Sequence, residues 1–249
     1  MAAELRTAAW EALHQVIDPE LDEPVTDLGF VRSLEVSEAG EVEVHLRLPT
    51  SFCAPNFAYL MASDAKDVLR ALPGVTGVVV ELDDHHDSTL INTGLAADAG
   101  YRDTFPGEAD EDLEELRATF RRKAHAAAME RVLTRLLKAR PELAEEDLHA
   151  ITVADLPDEA ATRSLLDRRA AVGFATGPEA PVLVDDEGRP CSPEQVPFRL
   201  RFARATRISV EGNSHFCRGL LRTRYPDSAN PAPGADQTPR AMSSEGRAS

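Results

Sequence analysis

Cysteine is scarce in this chain. Its 249 residues hold three, Cys53, Cys191 and Cys217. An odd, scattered set is no disulfide framework and points to a reducing compartment, so a cytoplasmic setting is expected. No CxxC, Walker loop, GxGxxG or HExxH occurs, which argues against self-contained ferredoxins, P-loop NTPases, Rossmann enzymes and zincins. No apolar run approaches the roughly 18 residues of a membrane span. The opening "MAAELRTAAWEALHQVI" is amphipathic with mixed charge, so no signal peptide is expected there. Basic residues are also in short supply, with 27 Lys and Arg against 43 Asp and Glu and a formal charge of −16. That balance disfavours nucleic acid and anionic membrane and favours protein partners.

What is present reads first as a small α/β module. Leu5, Ala9, Leu13, Val16 and Ile17 share a helical face. Asp18 should end that helix, because Pro19 disfavours helical dihedrals before it. "DPELDEPVTDLGF" then reads as a loop and turn, followed by a strand from Phe30 to Val36 and a hairpin turn at Glu38 to Gly40. Val42, Val44, Leu46 and Leu48 alternate with polar residues, the period of a sheet with one buried face. A helix follows from about Asn56, and "VTGVVVEL" from Val75 to Leu82 reads as a third strand.

Residues 86–112 read as a polar connection. The stretch 113–225 reads as a helical-plus-strand extension. Within it are a long helix from about Glu111 to Arg140, a second from Pro157 to Ala171, a strand and turn in "VLVDDEGRP", a strand from Phe198 to Val210, and a last helix capped by Asn213 or Ser214. Residues 226–249, rich in Pro, Ser and Ala, read as a disordered tail.

Four stretches carry chemistry. Cys53 lies just before a helix N-terminus, where unpaired N–H groups and the helix dipole stabilise thiolate. It can equally be a small packed hydrophobe or a metal ligand, and Ser51 offers a purely structural cap. The acids of "DPE", Asp18 and Glu20, read from composition alone as a solvated helix stop. "DDHHDS" has a metal-like composition, although His85 and His86 on an extended segment point opposite ways. A solvated acidic loop is the plainer reading of it, yet either His could neighbour Cys53 if the strand order places both loops at one sheet end. His215 and Cys217 in "EGNSHFCRG" supply two ligands, too few for a four-coordinate site. A joint Cys53, His86, His215 and Cys217 site stands against the plainer reading of a core Phe216 and Cys217 with a surface His215. Cys191, between prolines, reads as incidental. Arg199, Arg201, Arg204, Arg207, Arg218, Arg222 and Arg224 read as a solvated face or a surface for an acidic protein.

Taken in order, Asp18, Pro19, Glu20, Leu28, Gly29, Thr50 and Cys53, with the helices and strands between them, resemble the MIP18 family (DUF59) of iron–sulfur cluster assembly proteins, of the SufT and PaaD types. The likeness spans Leu5 to Leu82, within a domain placed at 1–85. It departs from the family where Ala54 follows Cys53 and Pro55 comes one position late, and in the long continuation after the third strand. It implies an α/β (α+β) fold and a maturation factor rather than a turnover enzyme. Cys53 would take a transient iron–sulfur cluster or iron for a client metalloprotein, for which an oxygenase or its reductase is plausible. Asp18, Glu20 and Thr50 would shape the pocket. A homodimer is possible, and a metal-free adaptor or an enzyme with Cys53 as nucleophile and His86 as base are the alternatives.

Overall fold

A computed structural model describes residues 2–106, 113–226 and 232. Apart from Pro226 and Ala232, the stretch read as a disordered tail lies outside the described residues, as do residues 107–112 of the connection.

The chain opens with α1 (Ala2–Leu13), a two-residue ladder of β1 (Ile17–Asp18) with β2 (Glu23–Pro24), and the single turn α2 (Val25–Leu28). Then come β3 (Val31–Val36), β4 (Glu41–Arg47), α3 (Pro55–Arg70) and β5 (Gly77–Asp83). The order in the sheet is β3-β4-β5. The β3/β4 hairpin is antiparallel, with Val36 opposite Val42, and β5 runs parallel to β4, with Val80 opposite Val44. Alternation does what it promises: Val42, Val44 and Leu46 are buried while Glu41 and Glu43 face water. The helix α3 is the crossover that a parallel pair requires, and its face of Ala58, Met61, Ala62, Ala65 and Leu69 closes the core with α1.

The expected polar connection is more ordered than its composition suggests. It holds α4 (Ser88–Ala96) and α5 (Tyr101–Thr104), and Ile91, Leu95 and Phe105 enter the first core. The two helices approach so closely at Gly94 that a Cβ there would lie 2.2 Å from Thr104 Oγ1. Only glycine fits.

The extension consists of α6 (Leu113–Ala139), α7 (Ala160–Ala171) and α8 (Val196–Arg224), joined by 3₁₀ turns and loops. Here two expectations fail. The stretch Phe198–Val210 is helix, not strand, and the helix expected to start at Asn213 or Ser214 is the interior of that same α8. Arg199 is the reason. Its side chain turns inward to Val184 O and Asp186, so burial at Val196, Arg199, Leu200 and Ala203 follows helical spacing while the apolar letters alternate. "VLVDDEGRP" keeps its turn but pairs only through isolated bridges, Thr152 with Pro181 and Val184 with Pro190. Cys191, read as incidental, is buried in the second core.

That second core is built from α6, α7, the 3₁₀ turn at Leu148, residues 182–184 and the first half of α8. The far end of α8 belongs to the first core through Leu221. One helix therefore serves both.

Candidate metal-transfer site

The turn 48–54 leaves β4 and enters α3. Pro55 occupies the first helical turn, where its missing N–H leaves no bond unmade. Thr50 Oγ1 accepts a hydrogen bond from the Phe52 backbone N–H at 3.2 Å and shares a second, at 3.4 Å, with Cys53 Sγ. Cys53 thus sits half-buried at the mouth of α3, with Phe52 beside it projecting into water.

Because β4 and β5 are parallel neighbours, the loop after β5 lies at the same sheet end. His86 N donates to Ser51 O at 2.9 Å. The His85 ring meets Cys53 O at 2.8 Å through Nε2, while its Nδ1 accepts from Asp87 N at 3.1 Å. That pattern fixes the neutral tautomer with the proton on Nε2. Both ring nitrogens are occupied, so buried His85 clamps the Cys53 loop and is not free as a ligand. His86 is exposed, its ring 5.7 Å from that of Phe52.

The "DPE" turn forms the second wall. Asp18 Oδ1 accepts from Glu20 N and Leu21 N, each at 2.9 Å. Burial pushes this carboxyl up to about 6 against those two hydrogen bonds, and Glu20 and Glu23 add to the rise. Glu20 is exposed and accepts from Asn213 Nδ2 at 3.2 Å.

The third wall is α8. Ser214 and Arg218 both bond Glu23, and Arg218 Nη1 donates to Asp27 O at 2.6 Å. Leu221 rests on Gly29, whose φ of 78° and closeness to Leu221 Cδ2 suit glycine. Arg224 donates to Leu48 O at 3.1 Å, Ser51 Oγ at 2.7 Å and Asp84 O at 2.5 Å, and Tyr225 Oη donates to Asp84 Oδ2 at 3.0 Å. These bonds span every loop around Cys53. They also bring Cys217 in, half-buried against the same core. Burial pushes the Cys217 thiol up to about 11, and the neighbouring Cys53, Asp18 and Glu20 push the same way.

Of the residues singled out by sequence, Cys53, Thr50, Asp18, Glu20 and Cys217 converge. His215 points to solvent from α8, and His86 stacks on Phe52. Among the described residues no three His, Cys, Asp or Glu side chains are grouped to hold a metal ion. The fastening residues Glu23, Arg218, Arg224 and Tyr225 were not legible as part of a site, since their roles depend on a docked helix. A cavity of about 340 Å³ is lined by Ile17, Pro19 and Asp22 of the "DPE" turn region together with residues of α3, α6 and α7, and the Asp22–Arg168 and Asp64–Arg117 ion pairs lie in its walls. It contains neither thiol.

Soft thiolates are the ligands of iron–sulfur clusters. Two thiols, Cys53 and Cys217, lie at this end of the sheet, short of the three-residue grouping that would hold an ion by itself.

Comparison with known proteins agrees with that chemistry. Residues 6–81 match the family described as iron–sulfur cluster assembly protein. The iron–sulfur cluster carrier protein of Mycobacterium leprae is 35% identical over 103 residues, 39% of this chain and 26% of the relative. An uncharacterized protein of Methanocaldococcus jannaschii is 34% identical over 84 residues, 34% of this chain and 86% of the relative. A chloroplastic Fe–S cluster assembly factor of Oryza sativa subsp. japonica is 39% identical over 71 residues, 28% of this chain and 13% of the relative. The match to the M. leprae carrier thus spans about a quarter of that protein's length. No solved structure matches. The family match ends at residue 81, before the His85 clamp, the α8 strap and Cys217.

Proposed function

The chain belongs to the iron–sulfur cluster assembly protein family, and from that premise we propose that it takes an iron–sulfur cluster or iron as cargo at Cys53 and hands it to a client metalloprotein. The observation that carries this reading is the convergence of Cys53 and Cys217 at the end of the sheet, each half-buried and neither in a disulfide. On loading, each thiol that binds gives up its proton and donates a sulfur lone pair to iron. On release, client ligands displace the sulfurs one at a time and the protons return. No electron moves. Four ligands complete a typical cluster, so two from this chain leave the cargo open to a receiving protein. Thr50 and the His85 clamp hold the Cys53 loop in place, and Asp18 and Glu20 shape the wall opposite. The PaaD-type resemblance is what favours an oxygenase or its reductase as client, and the cytoplasm as the place. Among the described residues no helix is long and apolar enough to cross a membrane. The reading of Cys53 as an enzymatic nucleophile gains no base, since the hydrogen bond at its sulfur is shared with Thr50 and not with an imidazole.

The test is anaerobic reconstitution of wild type, Cys53→Ser and Cys217→Ser with ferrous iron and sulfide, followed by absorption and EPR spectroscopy. Cargo bound by wild type, lost in Cys53→Ser and weakened in Cys217→Ser is the expected result. Equal loading of wild type and Cys53→Ser would refute the assignment. Loading of none would favour the metal-free adaptor.

A further inference from the structure

The outward face of α8 carries apolar residues that are largely exposed among the described residues. Phe198, Phe202 and Phe216 are 69%, 47% and 64% exposed, and Ile208 is 58% exposed. They lie on a stripe of Phe198, Phe202, Ala205, Ser209, Gly212 and Phe216, spaced by alternating steps of four and three residues. That spacing is the seam of a helix that packs along another helix. The inward residues Val196, Leu200 and Ala203 face the second core, and Leu221 faces the first. The stripe from Phe198 to Phe216 therefore runs exposed along about 27 Å of helix.

We propose that this stripe pairs antiparallel with the same stripe of a second copy, about a two-fold axis at Arg207. The pairing is self-complementary position by position. Phe198 meets Phe216 of the other copy, Phe202 falls on Gly212, and Ala205 on Ser209. Large residues thus oppose an absent side chain, and the small residues let the backbones approach at the centre. Ile208 lies beside the axis and meets its own copy. A closed two-fold contact requires this kind of self-matching surface.

Charge selects this occupant over an acidic protein. The helix is rich in arginine, yet Arg199 is paired with Asp186, Arg204 and Arg207 with Glu130, and Arg218 with Glu23. The cations of the helix are thus mostly held within the chain, Arg201 and Arg222 alone staying exposed without an acidic partner among the described residues, and the stripe itself carries no charge. The exposed fractions of the three Phe rings and Ile208 amount to on the order of 450 Å² of apolar surface per copy. That is about half of the ~800 Å² per partner of a standard interface, with the flanking side chains and the small residues adding the rest. The contact lies at the small end of the range for specific interfaces, so association is looked for at micromolar chain concentrations. Its geometry puts the two Cys217 positions roughly 30 Å apart along the helices, so each copy would keep its own thiol pair.

Sedimentation velocity on the full chain from 1 to 100 μM tests the pairing, with Phe202→Glu and Gly212→Leu as variants. The wild type is expected to shift with concentration toward twice its 27.1 kDa mass. Each variant is expected to raise the dissociation constant ten-fold or more. Gly212→Leu separates the contact from folding, because a Cβ at Gly212 meets nothing within 4 Å in the single chain and leucine is the better helix former. That variant should keep its circular dichroism and melt no lower than wild type. A wild type that stays monomeric throughout, including one that dimerises only with another protein, would overturn the proposal. So would a dimer that either variant leaves intact.

Discussion

The two cores of this chain keep charge in different places. In the family domain the buried ionisable residues Asp18, Arg47 and Lys66 keep 6–7% of their surface in contact with water, and the His85 side chain, at 1%, is the exception. In the extension Arg199 is likewise 7% exposed, but Glu130, His125 and Arg169 are 0–1% exposed, which is interior. The cause lies in the backbone. A sheet satisfies its own N–H and C=O groups, so side chains between sheet and helix can be wholly apolar. The second core is closed by the loops 172–191, which pair only through isolated bridges and leave the carbonyls of Ala175, Val182 and Val184 to side chains. Arg169 donates to Ala175 O and Val182 O, and Arg199 to Val184 O. Polar side chains there replace a sheet.

Three interventions sharpen that contrast. The largest effect is expected from Arg169→Ala, which strands the buried Val182 O, releases Ala175 O and opens a cavity. A loss of about 3–5 kcal/mol follows from unsatisfied groups and lost packing together. Hydrogen exchange should rise in α6 to α8 before it rises in the sheet; uniform exchange would show that the cores are not distinct.

The next effect is a pair of opposed pH slopes. Burial, then Arg169 and Arg199, push His125 down to about 4. The unfolded chain binds that proton first, so this contribution is lost as pH falls from about 6.5 through 4. Asp18 behaves the other way. Its folded value of about 6 lies above the ordinary 3.8, so its stabilisation is complete below about 4 and is lost as pH rises through 6. Each amounts to about 3 kcal/mol. Acidification from pH 7 to 4 should loosen the extension while Asp18→Asn, which keeps an acceptor for Glu20 N and Leu21 N, loses the advantage it shows at pH 8. Thermal melts of both proteins across that range decide it, and parallel curves would contradict the Asp18 assignment.

The smallest effect is expected from Leu221→Ala, at about 2–3 kcal/mol. Its value lies in where it acts, since it loosens the strap without touching either thiol. Alkylation of Cys217 at pH 8, slow in wild type because burial holds the thiol protonated, should accelerate several-fold. An unchanged rate would mean that α8 stays docked without Leu221.

The first domain was legible because its signals are local. The alternation at Val42 to Leu48, the helix after Pro55 and the ordered set from Asp18 to Cys53 each declare themselves within a few residues. The convergence of Cys53 with His85 depended on strand order, which the sequence left open, and the structure gives His85 a clamping role instead of a ligand's. The extension was misread where burial depends on distant partners. Arg199 looks like the solvent side of a strand until Asp186 and Val184 O are seen to receive it. Likewise "STLINTGLA" looks like polar linker until Gly94 meets Thr104.

The order of synthesis gives the strap a further meaning. The helix α8 begins 113 residues after β5 ends, so at roughly 5–20 residues per second it leaves the ribosome some 5–25 s later. The sheet, α3 and Cys53 then have time to assemble before Arg218, Leu221 and Arg224 arrive. For that interval the nascent chain displays its first thiol bare, and the second joins when α8 emerges and docks.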